Sequence, residues 1–95
     1  MNIALAIRNR QLLRFNYEGF SRLVEPHTYG IDRKGHETLR GYQVSGGSES
    51  GEFHGWKLFH VQDMHGLVVT KDKFRGPRPK YKRGDSAFSA IHAEL

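Results

Sequence analysis

The spacing of apolar residues changes near residue 12, from a helical repeat to an alternating one. Ile3 and Ile7 are four residues apart, and Leu5 precedes Leu12 by seven, which indicates a short N-terminal helix. From Leu13 onward, apolar and polar residues alternate, as in strands with one buried face. The predicted elements are a helix over residues 2–10 and strands over residues 13–17, 22–30, 38–44, 55–61 and 66–70.

Turn and loop signals separate these segments. Glycines within short polar clusters predict tight turns after the first and second strands, and the Gly/Ser-rich residues 45–52 predict a flexible loop. Pro26 cannot donate a ladder hydrogen bond, so the second strand has an edge, a bulge or a bend there. Residues 71–74 are predicted to add a short helical turn. The strand over 55–61 is apolar on both faces, which favours burial on both sides or a kink, and places Trp56 and Phe59 in the core.

Five short strands with frequent turns are typical of a small, strongly bent sheet. In a chain of 95 residues we expect a five-stranded barrel of the SH3-like or OB type, and a mainly β fold class. After residue 74 the character changes, because residues 75–84 are basic and contain Pro77 and Pro79. The spacing of Phe88, Ile91 and Leu95 suits one face of a short helix. The predicted organisation is a barrel domain over 1–74 and a basic tail over 75–95 with a short C-terminal helix.

Composition narrows the class of protein further. The absence of cysteine excludes a disulfide framework and a thiolate metal site. The apolar N-terminal stretch is too short for a secretion signal or a membrane span, so we expect a cytoplasmic protein with no membrane partner. A formal net charge of +5 favours phosphate-rich partners through counterion release and steering.

The order of four short motifs resembles the WYL domain, a bacterial ligand-sensing module with an Sm-like (SH3-type) barrel. The motifs are Phe15-Asn16-Tyr17, Arg22-Leu23-Val24-Glu25-Pro26, Leu39-Arg40-Gly41-Tyr42 and Phe59-His60-Val61-Gln62-Asp63-Met64, followed by Phe74. The chain departs from the family where Trp-Tyr-Leu is replaced by Glu37-Thr38-Leu39. It departs again where His60 and Asp63 stand in place of two arginines.

The resemblance implies a role in sensing. WYL domains usually follow a winged-helix DNA-binding domain in transcription regulators, where they sense nucleic-acid or nucleotide-like ligands, and some act in DNA-damage responses or phage defence. Here the residues before Leu12 hold only one short helix. The resemblance therefore implies a stand-alone sensing module in transcriptional or defence and stress regulation, without the two-helix device that reads a major groove.

Basic and aromatic side chains on the predicted strands are the candidate ligand-binding set. Arginine forks match phosphate oxygens, and aromatic rings stack on bases. The resemblance places four of these residues near the ligand-binding surface of the family: Tyr17, Arg22, Arg40 and His60. We expect Arg22 and Arg40 to clamp the phosphate of a nucleotide or single-stranded nucleic acid. The full predicted set is Tyr17, Arg22, Arg40, Tyr42, Lys57 and His60. The alternative is that the tyrosines belong to the core and the arginines form a solvated face.

The basic tail is a second candidate, able to hold a phosphate backbone without sequence preference. Its predicted contacts are Arg75, Arg78, Lys80, Lys82 and Arg83. The alternative is a solvated, partly disordered tail, or one that lies along the barrel and is ordered through Tyr81 and Phe88.

Metal and catalytic chemistry are not expected from these patterns. The six histidines show no paired ligand spacing and no neighbouring acidic cluster. No nucleophile, base and orienting group stand together, so we predict a non-enzyme without a cofactor. A different class of function stays open, namely a module for self-association or for binding a regulator partner through its edge strands.

Overall fold

Six antiparallel strands form one sheet, and a short helix packs against it, in a computed structural model that describes residues 2–95. The elements in chain order are α1 (Ile3–Asn9), β1 (Gln11–Tyr17), β2 (Phe20–Asp32), β3 (Glu37–Gly46), β4 (Gly55–His60), a 3-10 turn (Val61–Asp63), β5 (His65–Lys73) and β6 (Phe88–Glu94). The predicted mainly β class and N-terminal helix are confirmed, and each predicted strand overlaps an observed one. Within residues 2–95, no helix is both long enough and apolar enough to span a bilayer.

The long strand β2 organises the sheet, whose order is β4-β3-β2-β1-β5. Residues 20–24 of β2 pair with β1, residues 28–32 pair with β6, and β3 pairs along most of the other side. Pro26 lies between the two halves, at a register shift against β3. The predicted irregularity at Pro26 is confirmed, because a residue without an N–H fits where the ladder changes partners.

The sixth strand corrects the prediction of a C-terminal helix and of a five-stranded sheet. Residues 88–94 pair with β2 from Thr28↔Glu94 to Asp32↔Phe88. Beyond Val24 the edge of β2 has lost β1, and its backbone groups need another partner. That long-range pairing outweighs a helical spacing of three apolar side chains. Gly30 allows the close approach, since a Cβ there would lie 2.1 Å from the Ala90 carbonyl oxygen.

Two smaller expectations are also wrong. Residues 71–74 do not form a helical turn, because β5 continues to Lys73 and pairs it with Gln11 of β1. The strand β4 is not buried on both faces: Phe59 is buried but Leu58 is 46% exposed. β4 is an end strand of the sheet, and one of its faces is only partly covered.

The core lies between α1 and the inner face of the sheet. Strand side chains of Leu13, Phe15, Val24, Leu39 and Phe59 are buried, together with the helix residues Ile3, Ala6 and Ile7. The alternation predicted for the third strand is confirmed, since its inward positions 39, 41 and 43 are all buried. This packing holds β2, β3 and β4 in position, and the tail residues pack against these three strands.

Candidate ligand-binding site

A fully buried histidine anchors the tail to the sheet. The Nε2 atom of His27 accepts a hydrogen bond from the backbone N–H of Arg78 at 3.1 Å. Its Nδ1 atom therefore carries the proton and donates to the Glu25 carbonyl oxygen at 2.8 Å. The ring centroid of His27 lies 4.6 Å from that of Trp56 and 5.2 Å from that of Tyr81. The first residues of the tail are thus held by a neutral imidazole inside an aromatic cluster.

Arg78 forms an ion pair next to this histidine. Its Nε and Nη2 atoms donate to the two carboxylate oxygens of Glu25 at 2.8 and 3.0 Å. Its guanidinium also lies 4.5 Å from the centroid of the Tyr42 ring. The hydrogen bonds to Glu25 raise the pKa of Arg78 above its ordinary value. The Glu25 side chain is only 9% exposed, so its carboxylate needs the Arg78 guanidinium as a counter-charge.

A second ion pair holds the tail further along. Arg40 of β3 donates to both carboxylate oxygens of Asp85, at 2.8 and 3.3 Å. Burial opposes ionisation of Asp85, but the hydrogen bonds from Arg40 and the Ala87 N–H hold the pKa of the carboxyl below its ordinary value. Arg83 pairs with Glu94 of β6 at 3.3 Å. The segment between residues 78 and 87 is therefore fixed at both ends and in the middle.

Between these anchors the tail folds over Trp56 and leaves an open cavity of about 530 Å³. We call it the Trp56 cavity; its lining residues are Arg40, Trp56 and residues 80–86. The Trp56 and Tyr81 rings are nearly parallel, at 21°, with centroids 6.4 Å apart. The indole N–H of Trp56 donates to the Pro79 carbonyl oxygen at 3.1 Å. The size lies within the range of small-molecule sites.

The charges around this cavity are uneven. Arg40 and Arg83 are each paired with a carboxylate. Among residues 2–95, no carboxylate lies within 4.0 Å of the ammonium groups of Lys80 or Lys82, and both lysines are exposed. The wall of the cavity thus carries uncompensated positive charge beside two aromatic rings.

Arg22 is buried and lines a cavity other than the Trp56 cavity. It is 2% exposed and donates to Gln43 Oε1 at 3.2 Å and to the Tyr17 carbonyl oxygen at 3.1 Å. Its guanidinium carbon also lies within 5.8 Å of the ring centroids of Tyr17, Phe20 and Phe59. The alternative of a solvated arginine is wrong at this position, because the guanidinium is enclosed by rings and amide oxygen.

The predicted strand residues do not share one face. Tyr17, Arg22 and Lys57 line a second cavity of about 370 Å³, while Arg40 lines the Trp56 cavity. The Tyr17 hydroxyl accepts a hydrogen bond from the His60 N–H at 3.1 Å, which is a role at the rim of the core. Tyr42 lies beneath Arg78.

The predicted tail residues are also divided. Lys80, Lys82 and Arg83 line the Trp56 cavity, whereas Arg75 and Arg78 line a third cavity next to Glu25. Sequence reasoning placed Trp56 in the core and treated Tyr81 only as an ordering contact, so both aromatic walls of the Trp56 cavity were missed. The available signal was a single tryptophan followed by a basic, proline-containing segment that also holds a tyrosine.

One further group of polar side chains lies away from these cavities. Asp32, His36 and His60 place their ligand-type atoms within 4.8 Å of one another. Their spacing in sequence gave no sign of a metal site, because His60 joins the pair only through the register Thr38↔His60 between β3 and β4.

Compared with protein-family models, curated proteins and solved structures, the chain matches none of them.

The anchor at His27 predicts a pH-dependent stability. Burial lowers the pKa of His27 below 6.5, against the opposing effects of the Glu25 hydrogen bond and charge. The unfolded chain takes up a proton as pH falls below about 6.5, and the folded chain does not until lower pH. We expect stability to fall over that window, by at most about 1.4 kcal/mol per pH unit from this residue.

Urea unfolding of the wild type and of His27→Gln at pH 7.5 and 5.5 measures this effect. His27→Gln should lose much of the difference between the two pH values, although it is less stable at both. The control His54→Gln, at an exposed loop position, should keep the wild-type difference. An identical pH dependence in His27→Gln and the wild type would contradict the prediction.

Proposed function

We propose that this chain is a small, non-catalytic binding module that captures a nucleotide or a short stretch of single-stranded nucleic acid in the Trp56 cavity. One observation carries the proposal: uncompensated basic side chains and two aromatic rings line the same open cavity. That pairing of features is what proteins use to hold unpaired bases and their phosphates.

The basic side chains of the cavity have different roles, which follow from their contacts. Lys80 and Lys82 supply the attraction for phosphate, since neither is neutralised by a carboxylate among residues 2–95. Arg40 acts mainly by holding Asp85, and with it the tail, in place. This differs from a phosphate clamp formed by Arg22 and Arg40, because Arg22 is buried and lines the second cavity, not the Trp56 cavity.

The aromatic walls supply the surface for a base. Trp56 is held in orientation by its hydrogen bond to the Pro79 carbonyl oxygen and by its edge contact with His27. The Tyr81 hydroxyl donates to the Leu95 carbonyl oxygen at 3.0 Å, which fixes the second ring. Rings that are already ordered lose little conformational entropy when a ligand binds.

A WYL-like role, on an Sm-like or SH3-like barrel, is part of the proposal. The order of the family-like motifs along the sequence supports it. The proposed setting is the sensing of a nucleotide-like signal in transcriptional or defence and stress regulation.

Fluorescence anisotropy with a labelled oligothymidylate, at a series of salt concentrations, tests the proposal. With two lysines on phosphates, the logarithm of the binding constant should fall against the logarithm of salt with a slope of about −1.4. Lys80→Ala/Lys82→Ala should weaken binding and flatten this slope. Trp56 is the single tryptophan, so quenching of its fluorescence on binding reports stacking directly.

The matched control is Lys34→Ala/Lys71→Ala, which removes the same charge from exposed lysines outside the cavity. It should retain the slope and the quenching. If the two double variants lost the same binding affinity, binding would depend only on net charge, and the Trp56 cavity would be rejected as the site. No binding at low salt, with sedimentation that depends on protein concentration, would favour self-association through the end strands β4 and β5 instead.

A further inference from the structure

Three potential metal ligands meet at the end of the sheet where β2, β3 and β4 lie side by side. Asp32 is the last residue of β2, His36 precedes β3, and His60 is the last residue of β4. Asp32 Oδ2 lies 3.6 Å from His36 Nδ1 and 3.7 Å from His60 Nε2. The two imidazole ring centroids are 4.7 Å apart.

These separations suit a shared cation better than direct hydrogen bonds. A hydrogen bond between a ring N–H and a carboxylate is about 2.7–3.2 Å long, and both distances exceed it. Two ligands of a tetrahedral zinc ion with bonds of about 2.0–2.1 Å lie about 3.4 Å apart. The histidine side chains are 43% and 41% exposed, so small ring rotations can bring both nitrogens to that spacing.

The surrounding hydrogen bonds orient the carboxylate for this task. Asp32 Oδ1 accepts from the Lys34 N–H at 2.9 Å and from the His36 N–H at 2.8 Å. That leaves Oδ2 directed toward the two rings. The Nδ1 atom of His36 is itself buried and has no hydrogen-bond partner among residues 2–95. Buried polar atoms without a partner are uncommon in proteins, and a bound ion would supply the missing partner of His36 Nδ1.

We propose that Asp32, His36 and His60 bind one divalent transition-metal ion, with Zn²⁺ the best match. Two imidazoles and one carboxylate are ligands that zinc and its neighbours prefer, whereas magnesium and calcium take oxygen ligands. Three protein ligands leave a coordination position for water or a small anion. Bound metal would tie the turn between β2 and β3 to the end of β4. This site is separate from the Trp56 cavity and does not depend on the proposed function.

Isothermal titration of the tag-free protein with Zn²⁺ tests the site. We expect one ion per chain, and with Co²⁺ the visible absorption bands of a nitrogen- and oxygen-ligated ion. His36→Gln, His60→Gln and Asp32→Asn should each lower the affinity by about tenfold or more. Asp32→Asn is the conservative variant, since its amide oxygen can still accept from the backbone of the turn.

Exposed histidines elsewhere provide the controls. His54→Gln and His65→Gln should bind Zn²⁺ as the wild type does, because neither belongs to the cluster. A stoichiometry well below one ion per chain in the wild type rejects the site without any variant. An affinity that His36→Gln and His60→Gln leave unchanged also rejects it and assigns the binding to other histidines.

Discussion

Replacing Arg78 by alanine is expected to lower the free energy of unfolding by about 2–4 kcal/mol. The change removes both hydrogen bonds to Glu25 and leaves a carboxylate that is only 9% exposed without a counter-charge. The effect stays below that of a fully buried pair because Arg78 itself is 40% exposed. Urea unfolding followed by circular dichroism measures the loss.

A double-variant cycle separates the ion pair from the side chain's other contacts. Glu25→Leu/Arg78→Met replaces both charges by apolar groups of similar volume and should recover most of the stability lost in Arg78→Ala. The matched single control is Lys82→Ala, which also removes a tail charge but breaks no ion pair within residues 2–95. A loss in Arg78→Ala no larger than in Lys82→Ala would show that the tail is not locked through Glu25.

Phe59→Ala is expected to lower the free energy of unfolding by about 3–5 kcal/mol. Phe59 is 1% exposed, and its ring lies edge-on to Phe15 at 4.9 Å and to Tyr17 at 5.0 Å. Truncation leaves a cavity at the centre of these aromatic contacts and removes a ring that faces the guanidinium of Arg22.

Phe53→Ala is the matched control, because the same side chain is 53% exposed there, in the loop between β3 and β4. It should change the unfolding free energy by no more than about 0.5 kcal/mol. Thermal and urea unfolding of both variants compare the two positions. Similar losses at residues 53 and 59 would contradict the assignment of Phe59 to the core.

The strands were predictable because their signal is local. Alternation in residues 13–17 and 38–44 follows from one buried face: the structure buries positions 13, 15, 39, 41 and 43, and it leaves positions 14 and 16 exposed. The strand β6 had no such signal. Its conformation depends on the open edge of β2 beyond Val24, which no nearby residue reveals.

The candidate sites were less predictable than the fold, for a related reason. Arg22 is stable inside the protein because the Glu18 carboxylate, Gln43 and three aromatic rings surround it, and most of these come from outside its own strand. Lys80 and Lys82 were identified as basic contacts, but their position beside Trp56 results from anchors at His27 and Glu25. The sequence shows which side chains are charged, but it does not show what lies beside them, because those neighbours depend on how the tail folds back.

The pairing of β6 with β2 has a consequence for synthesis of the protein on the ribosome. While residues up to 74 emerge, β2 can pair with β1 and β3, but the edge that receives β6 stays open. The helix α1, which precedes all six strands in the chain, also packs against β6, the last of them. Residues 28–32 of β2 therefore keep an unpaired edge in the nascent chain until residue 94 has left the exit tunnel. During that interval it is open to pairing with other chains.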